Sequence, residues 1–174
     1  LFADLVGFTA FAAQVDPFKV MVFLNDLFQV FDGMCDEYNV YKIETIGDCY
    51  VASVGVVTGE LVSSKEVDGK SFSSEASFSG TYVTRTNAST LNARDLVAFA
   101  KAMIRGSRDV MKPIVNTPAI MRVGIHTGSC MSGIIGTKNL KFCLLGDAVE
   151  TAADMEINGT PDYIQASEAL ADLV

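Results

Sequence analysis

Two aspartates stand where an acid is costly. Asp4 follows the apolar run Leu1-Phe2-Ala3 and precedes Leu5-Val6, so it falls on a strand that otherwise reads as core. Asp48 sits in a Gly-Asp turn between two β-rich runs, residues 40–46 and 49–56. A carboxylate leaving bulk water needs residual solvent, a cationic partner or a bound ion. Two converging carboxylates each favour the protonated form, and a divalent cation reverses that. Mg²⁺ is typically held by one or two carboxylates, with waters and phosphate oxygens completing its shell. Next to Asp4, Gly7-Phe8-Thr9 offers successive backbone N–H groups, the kind of nest that takes a phosphate. An acid pair beside such a turn is the layout two-metal phosphoryl chemistry needs. Taken alone, Asp48 reads more readily as an ordinary turn residue than as a ligand.

The elements that must position these groups follow from spacing. Residues 1–6 read as a strand. Asp16-Pro17 reads as an N-cap followed by Pro at the first helical position. Val20, Leu24, Leu27, Phe28, Phe31, Met34, Cys35 and Tyr38 then recur at steps of three and four, a helix with one buried face. Residues 40–46 and 49–56 form a hairpin. Residues 57–92 are serine-rich with no sustained period and read as a mobile surface insertion. A second helix carries Leu96, Phe99, Ala100, Met103 and Ile104. Strands are expected at 120–127, 130–136 and 141–145, a helix at 148–157, a short strand at 163–166 and a last helix at 167–173. The order predicts one α+β domain over residues 1–174, its helices packed on a mostly antiparallel sheet with a ferredoxin-like βαββαβ core.

The totals exclude several partner classes. The net charge of −8 argues against a nucleic-acid surface, and an anionic substrate would need cations to bridge it to so acidic a chain. No run of eighteen apolar residues is present, so no membrane contact by this segment is expected. The four cysteines, Cys35, Cys49, Cys130 and Cys143, lack C-x-x-C spacing, which argues against zinc and for a reducing compartment. His126 is the only histidine, so no His-based cluster or triad assembles within one chain. The start at Leu1, without Met or a basic leader, reads as an excerpt of a larger protein. The domain is expected at the cytosolic face, with membrane attachment elsewhere in the full-length protein left open.

Four stretches occur in a telling order: "LFADLVGFTAF", "YKIETIGDCYVAS", "MRVGIHTGSCMSGIIG" and "FCLLGDAVETAADME". Together they resemble the class III nucleotidyl cyclase catalytic domain, the family of adenylyl and guanylyl cyclases. The resemblance implies a ferredoxin-like domain that works as a dimer with active sites at the interface. It implies two ions of Mg²⁺ or Mn²⁺ held by Asp4 and Asp48, with Leu5 lending a backbone carbonyl. Gly7, Phe8 and Thr9 match one backbone turn over the phosphates, and Ile46-Gly47 the second. Arg122 matches a catalytic arginine that contacts phosphate oxygens. The implied reaction is in-line attack of a ribose 3′-hydroxyl on the α-phosphorus, with pyrophosphate leaving.

Glu44 and Cys143 fall where the family reads the purine. Guanine offers donors at N1 and N2 that a carboxylate accepts, whereas adenine presents an acceptor at N1. A thiol beside O6 is a compatible weak donor. This pairing resembles the guanylyl pattern, so GTP is the favoured nucleotide. The family also carries an Asn and, four residues on, an Arg after its Gly-Asp pair; here those positions are Glu150 and Asp154. A carboxylate aimed at a transferring phosphoryl group repels the charge that must be stabilised. The expectation is therefore a metal-donating half, weak as a homodimer, that needs a second cyclase domain supplying Asn and Arg. Alternatives left open are an adenylate cyclase half acting on ATP and a catalytically silent regulatory subunit.

Overall fold

The computed structural model describes residues 1–56, the backbone of 81–82, and residues 90–136 and 138–174. In chain order the elements are β1 Phe2–Leu5, α1 Phe8–Ala12, α2 Pro17–Met34, β2 Tyr41–Ile46, β3 Cys49–Ser53, β4 Thr81–Tyr82, α3 Thr90–Ser107, β5 Met121–Ile125, β6 Met131–Ile135, β7 Lys141–Leu145, α4 Asp147–Ile157, β8 Ile164–Ala166 and α5 Glu168–Ala171.

Asp16 caps α2 as its spacing predicts. Its carboxylate accepts from the Phe18 amide at 3.0 Å, and Pro17 occupies the first turn, where a missing N–H costs nothing. The apolar stripe of α2 buries Val20, Phe23, Leu27 and Phe31, with Leu24, Phe28, Met34, Cys35 and Tyr38 packed around them. α3 lies beside α2 and adds Leu96, Phe99, Ala100 and Met103 to the same core.

Beneath these helices runs a five-stranded sheet in the order β2-β3-β1-β5-β8. Each of the first four strands runs antiparallel to its neighbours, and β8 pairs parallel to β5 after the α4 crossover. This is the expected ferredoxin-like core with one added strand. Alternation along the strands sorts the two faces. Ala3, Leu5, Val123 and Ile125 join the α2–α3 core. Asp4, Arg122 and Gly124 point to the opposite face, where α4 packs. The approach there is close: a Cβ on Gly124 would fall within 3 Å of the Ala152 carbonyl and the Glu156 backbone.

Three features differ from the sequence-based reading. β6 and β7 form a separate three-stranded sheet with β4, in the order β4-β6-β7. β5 already pairs on both sides, with β1 and β8, so the following hairpin cannot pair directly beside it. A short helix, α1, follows Gly7. Within the stretch read as an insertion, Thr81–Tyr82 pairs with β6, and α3 begins at Thr90. The remainder of that serine-rich stretch, 57–80 and 83–89, lies outside the described residues, and with it the expectation of mobility.

Candidate active site

Asp4 lies near the end of β1, paired in register with Arg122 of β5. On its other side β1 pairs with β3 through Ala3↔Tyr50, which brings the β2–β3 turn and Asp48 against Leu5. The turn needs Gly47, whose φ of 63° lies in the left-handed region. The two carboxyl groups meet. Asp48 is pushed up to about 6, first by burial and then by the charge of Asp4 and a hydrogen bond to its carboxyl group; backbone amides of Leu5 and Asp48 oppose this in part. Two acids from separate strand ends thus share one small space, as the sequence reading requires.

Arg122 is positioned by its neighbours. Its Nη2 donates to Asp4 Oδ2 at 3.3 Å, and its Nε donates to Glu156 Oε1 at 2.9 Å. Glu156 comes from α4 and is only 6 % exposed. Burial pushes its carboxyl upward, as does the charge of Asp4, while Arg122 pulls it down. Sequence reasoning missed Glu156. The signal was present: with Ala152 it falls at i, i+4 on the buried face of α4, where an apolar residue is expected.

The backbone turn after Asp4 is also built. Gly7 adopts φ 72°, and α1 follows at once from Phe8, with Phe8 half-buried and Gly7 and Thr9 exposed. Lys112, another residue the sequence did not single out, donates Nζ to the Val6 carbonyl at 3.2 Å and ties this turn to the α3–β5 connection. The second turn, Ile46-Gly47, is exposed beside Asp48.

Glu44 is aimed by an irregularity. The β2–β3 register shifts between Lys42 and Glu44, a bulge that puts these two residues on opposite faces. Lys42 turns toward α2 and pairs with Asp32 at 2.8 Å, and Asp32 also accepts from the buried Tyr50 hydroxyl at 2.7 Å. Glu44 turns the other way and pairs with Lys141 of β7 at 2.5 Å. Cys143 lies two residues along β7, its thiol 3.8 Å from the Lys141 carbonyl. Tyr41 and Phe142 meet edge-on beside them. β2 and β7 thus bring Glu44 and Cys143 to one corner, with Lys141 as an unforeseen cation between the strands.

Glu150 and Asp154 stand apart from all of this. Both are exposed on α4, one turn apart. His126 is likewise outside the acid pair; its Nδ1 shares a hydrogen bond with Ser167 Oγ at 2.7 Å.

The model of the adenylate and guanylate cyclase catalytic domain matches residues 1–174. Guanylate cyclase soluble subunit beta-2 of Rattus norvegicus is 33% identical over 167 residues, covering 96% of this chain and 20% of that protein. Atrial natriuretic peptide receptor 2 of Anguilla japonica is 32% identical over 174 residues, covering 99% of this chain and 14% of that protein. The chain therefore spans a fifth or less of these relatives. Among solved structures, the guanylate cyclase domain of RhGC from Catenaria anguillulae, in complex with GTP, superimposes with a TM-score of 0.75 at 24% identity, covering 99% of this chain and 78% of that one. The adenylyl cyclase CyaB from P. aeruginosa does so at 0.74 and 19%, covering 99% and 76%. Fold, motif order and sequence agree, and the chain belongs to the adenylate and guanylate cyclase catalytic domain family.

Proposed function

We propose that this chain is the metal-donating half of a guanylate cyclase dimer, forming cyclic GMP and pyrophosphate from GTP. The observation that carries the reading is the contact of the Asp4 and Asp48 carboxyl groups; burial first, and then the charge of Asp4, leaves Asp48 reluctant to ionise. Two acids with no histidine or cysteine in the set suit Mg²⁺ or Mn²⁺, which prefer oxygen donors and leave positions for phosphate. Asp4, Asp48 and the Leu5 carbonyl would hold the ions. Bound there, the ions would favour the 3′-alkoxide and neutralise the leaving phosphates.

The chain's own groups do the rest. The Gly7-Phe8-Thr9 and Ile46-Gly47 turns offer backbone N–H groups to phosphate oxygens. Arg122, adjacent to the acid pair, supplies a fixed positive fork for the same oxygens. Glu44 and Cys143, at the corner between the sheets, would read a guanine at the dimer's other site, with Lys141 paired to the Glu44 carboxylate and orienting it. Exposed apolar side chains, Tyr41, Ile46, Met131, Leu140 and Leu145, surround this corner and support a second cyclase domain as the partner that covers it.

Glu150 and Asp154 make the partner necessary. A site assembled from this chain's metal ligands needs Asn and Arg from the opposite domain, and two copies of this chain supply neither. Base choice at that site then rests with the partner, which keeps an ATP-cyclising pair as the second reading. Among the described residues no helix is long and apolar enough to cross a membrane. We place the domain at the cytosolic face.

The test is turnover with Mn²⁺ and GTP. The lone domain should be nearly silent, and co-expression with a cyclase domain carrying Asn and Arg should yield cyclic GMP. Asp48→Asn in this chain should abolish that product. Full activity of the pair with Asp48→Asn would favour the regulatory-subunit reading instead.

A further inference from the structure

Arg122 has two carboxylates and cannot serve both equally once one is engaged elsewhere. Its Nη2 reaches Asp4 at 3.3 Å, the longer bond, and its Nε reaches Glu156 at 2.9 Å, the shorter. Glu156 is 6 % exposed and held on α4 by the tight Gly124 contact, so its carboxylate has a fixed place. Asp4 is more open and is also in contact with Asp48. Within this arrangement Arg122 competes with any cation for Asp4.

We propose that Glu156 is a positioning residue that draws the Arg122 guanidinium off Asp4, so that a divalent cation can take the aspartate while Arg122 stays at the site. The inference rests on the metal-donating reading above. A lone Arg122–Asp4 pair would be a self-blocked site: the arginine would neutralise the ligand that the cation needs. A buried carboxylate on the far side divides the guanidinium's charge and gives Nε a permanent acceptor. When Asp4 is engaged, the Nε bond persists, and the Nη groups become free for phosphate oxygens. A merely structural glutamate would stabilise α4 against β5 without altering this competition.

The experiment is direct Mn²⁺ binding to the purified chain, read by electron paramagnetic resonance of free Mn²⁺, in a double-mutant cycle. Glu156→Gln keeps the shape and removes the charge, and it should weaken Mn²⁺ binding roughly three- to tenfold, in the range of coupling between contacting residues. In the Arg122→Met background the same substitution should have no effect, because the competitor is gone. Glu156→Asp should restore part of the affinity. An equal loss in both backgrounds, or no loss in either, overturns the proposal.

A second readout does not depend on Mn²⁺ binding. The Arg122 Nε–Hε resonance should be sharp and protected from exchange in the parent chain, and broadened or lost in Glu156→Gln. An unchanged resonance overturns the inference even if the chain binds no metal. Absence of Mn²⁺ binding with a Glu156-dependent resonance overturns instead the metal-donating reading and, with it, the competition proposed here.

Discussion

The floor of the site and the outer face of α4 are both acidic, but they handle their acids in opposite ways. On the floor, Asp4, Asp48 and Glu156 are drawn together by strand register and a close helix contact, and Arg122 pairs with two of them. On α4, Asp147, Glu150 and Asp154 are spread along the exposed face and left to water. Asp147 and Glu150 also fall in the first turn, where the helix dipole favours negative charge. The first arrangement costs folding energy and has value only if something binds. The second costs nothing and offers a phosphate nothing. On the proposed function, half of a phosphoryl-transfer site is kept and the other half is turned to the opposite charge.

The sharpest way to break that contrast is to rewrite the α4 face. Glu150→Asn with Asp154→Arg should turn a domain that the proposed function makes nearly silent alone into an active one. The gain in turnover with Mn²⁺ and GTP should be on the order of 10²–10³-fold, the effect of supplying a transition-state charge donor. No gain would mean that these two positions do not face the partner's phosphates.

In that activated background the purine corner becomes testable. Glu44→Lys with Cys143→Asp should move the preference from GTP toward ATP by about 10²-fold in the ratio of kcat/KM values, since a mismatched buried polar group discriminates strongly. A smaller effect is expected from Lys141→Met. Its side chain is 58% exposed, so it orients Glu44 without burying it. The GTP preference should fall only a fewfold. A loss as large as that of the Glu44 and Cys143 changes would make Lys141 a base-reading residue in its own right.

The sequence carried the floor of the site further than its walls. Asp4 and Asp48 were legible because each interrupts a local pattern, an apolar strand in one case and a β-hairpin in the other. Helix α2 was legible because Asp16-Pro17 and a three-and-four stripe are local signals. Glu156 and Lys141 were not. Each acts on a residue far along the chain, Arg122 34 positions before Glu156 and Glu44 97 before Lys141 (141 − 44), and only sheet register brings them together. The bulge that turns Glu44 away from Lys42 has no signature in "YKIETIG" beyond β-propensity. The second sheet was missed for a similar reason: whether β5 still had a free edge is a property of the whole strand order.

The smallest predicted effect tests the claim that the floor costs stability. Asp48 rises from an ordinary carboxylate value of 3.8 to about 6 on folding. The folded chain then holds more protons than the unfolded one between those values, so stability should fall as pH climbs from about 4 to about 6. Below that window the carboxyl is protonated in both states and the penalty vanishes; above it the penalty is complete. Asp48→Asn removes the titration, so the variant should lose this part of the slope and melt higher than the parent at pH 7.5 in chelator. The expected rise is about 2–4 °C, corresponding to roughly 1 kcal/mol in a chain of this size. Added Mn²⁺ should reverse the order, raising the parent and leaving the variant unmoved, because only the parent retains the charge that repels in one condition and binds in the other. A variant that melts lower than the parent in chelator would mean that Asp48 is held by structural partners, and the kept half of the site would lose its distinction from the solvated face of α4.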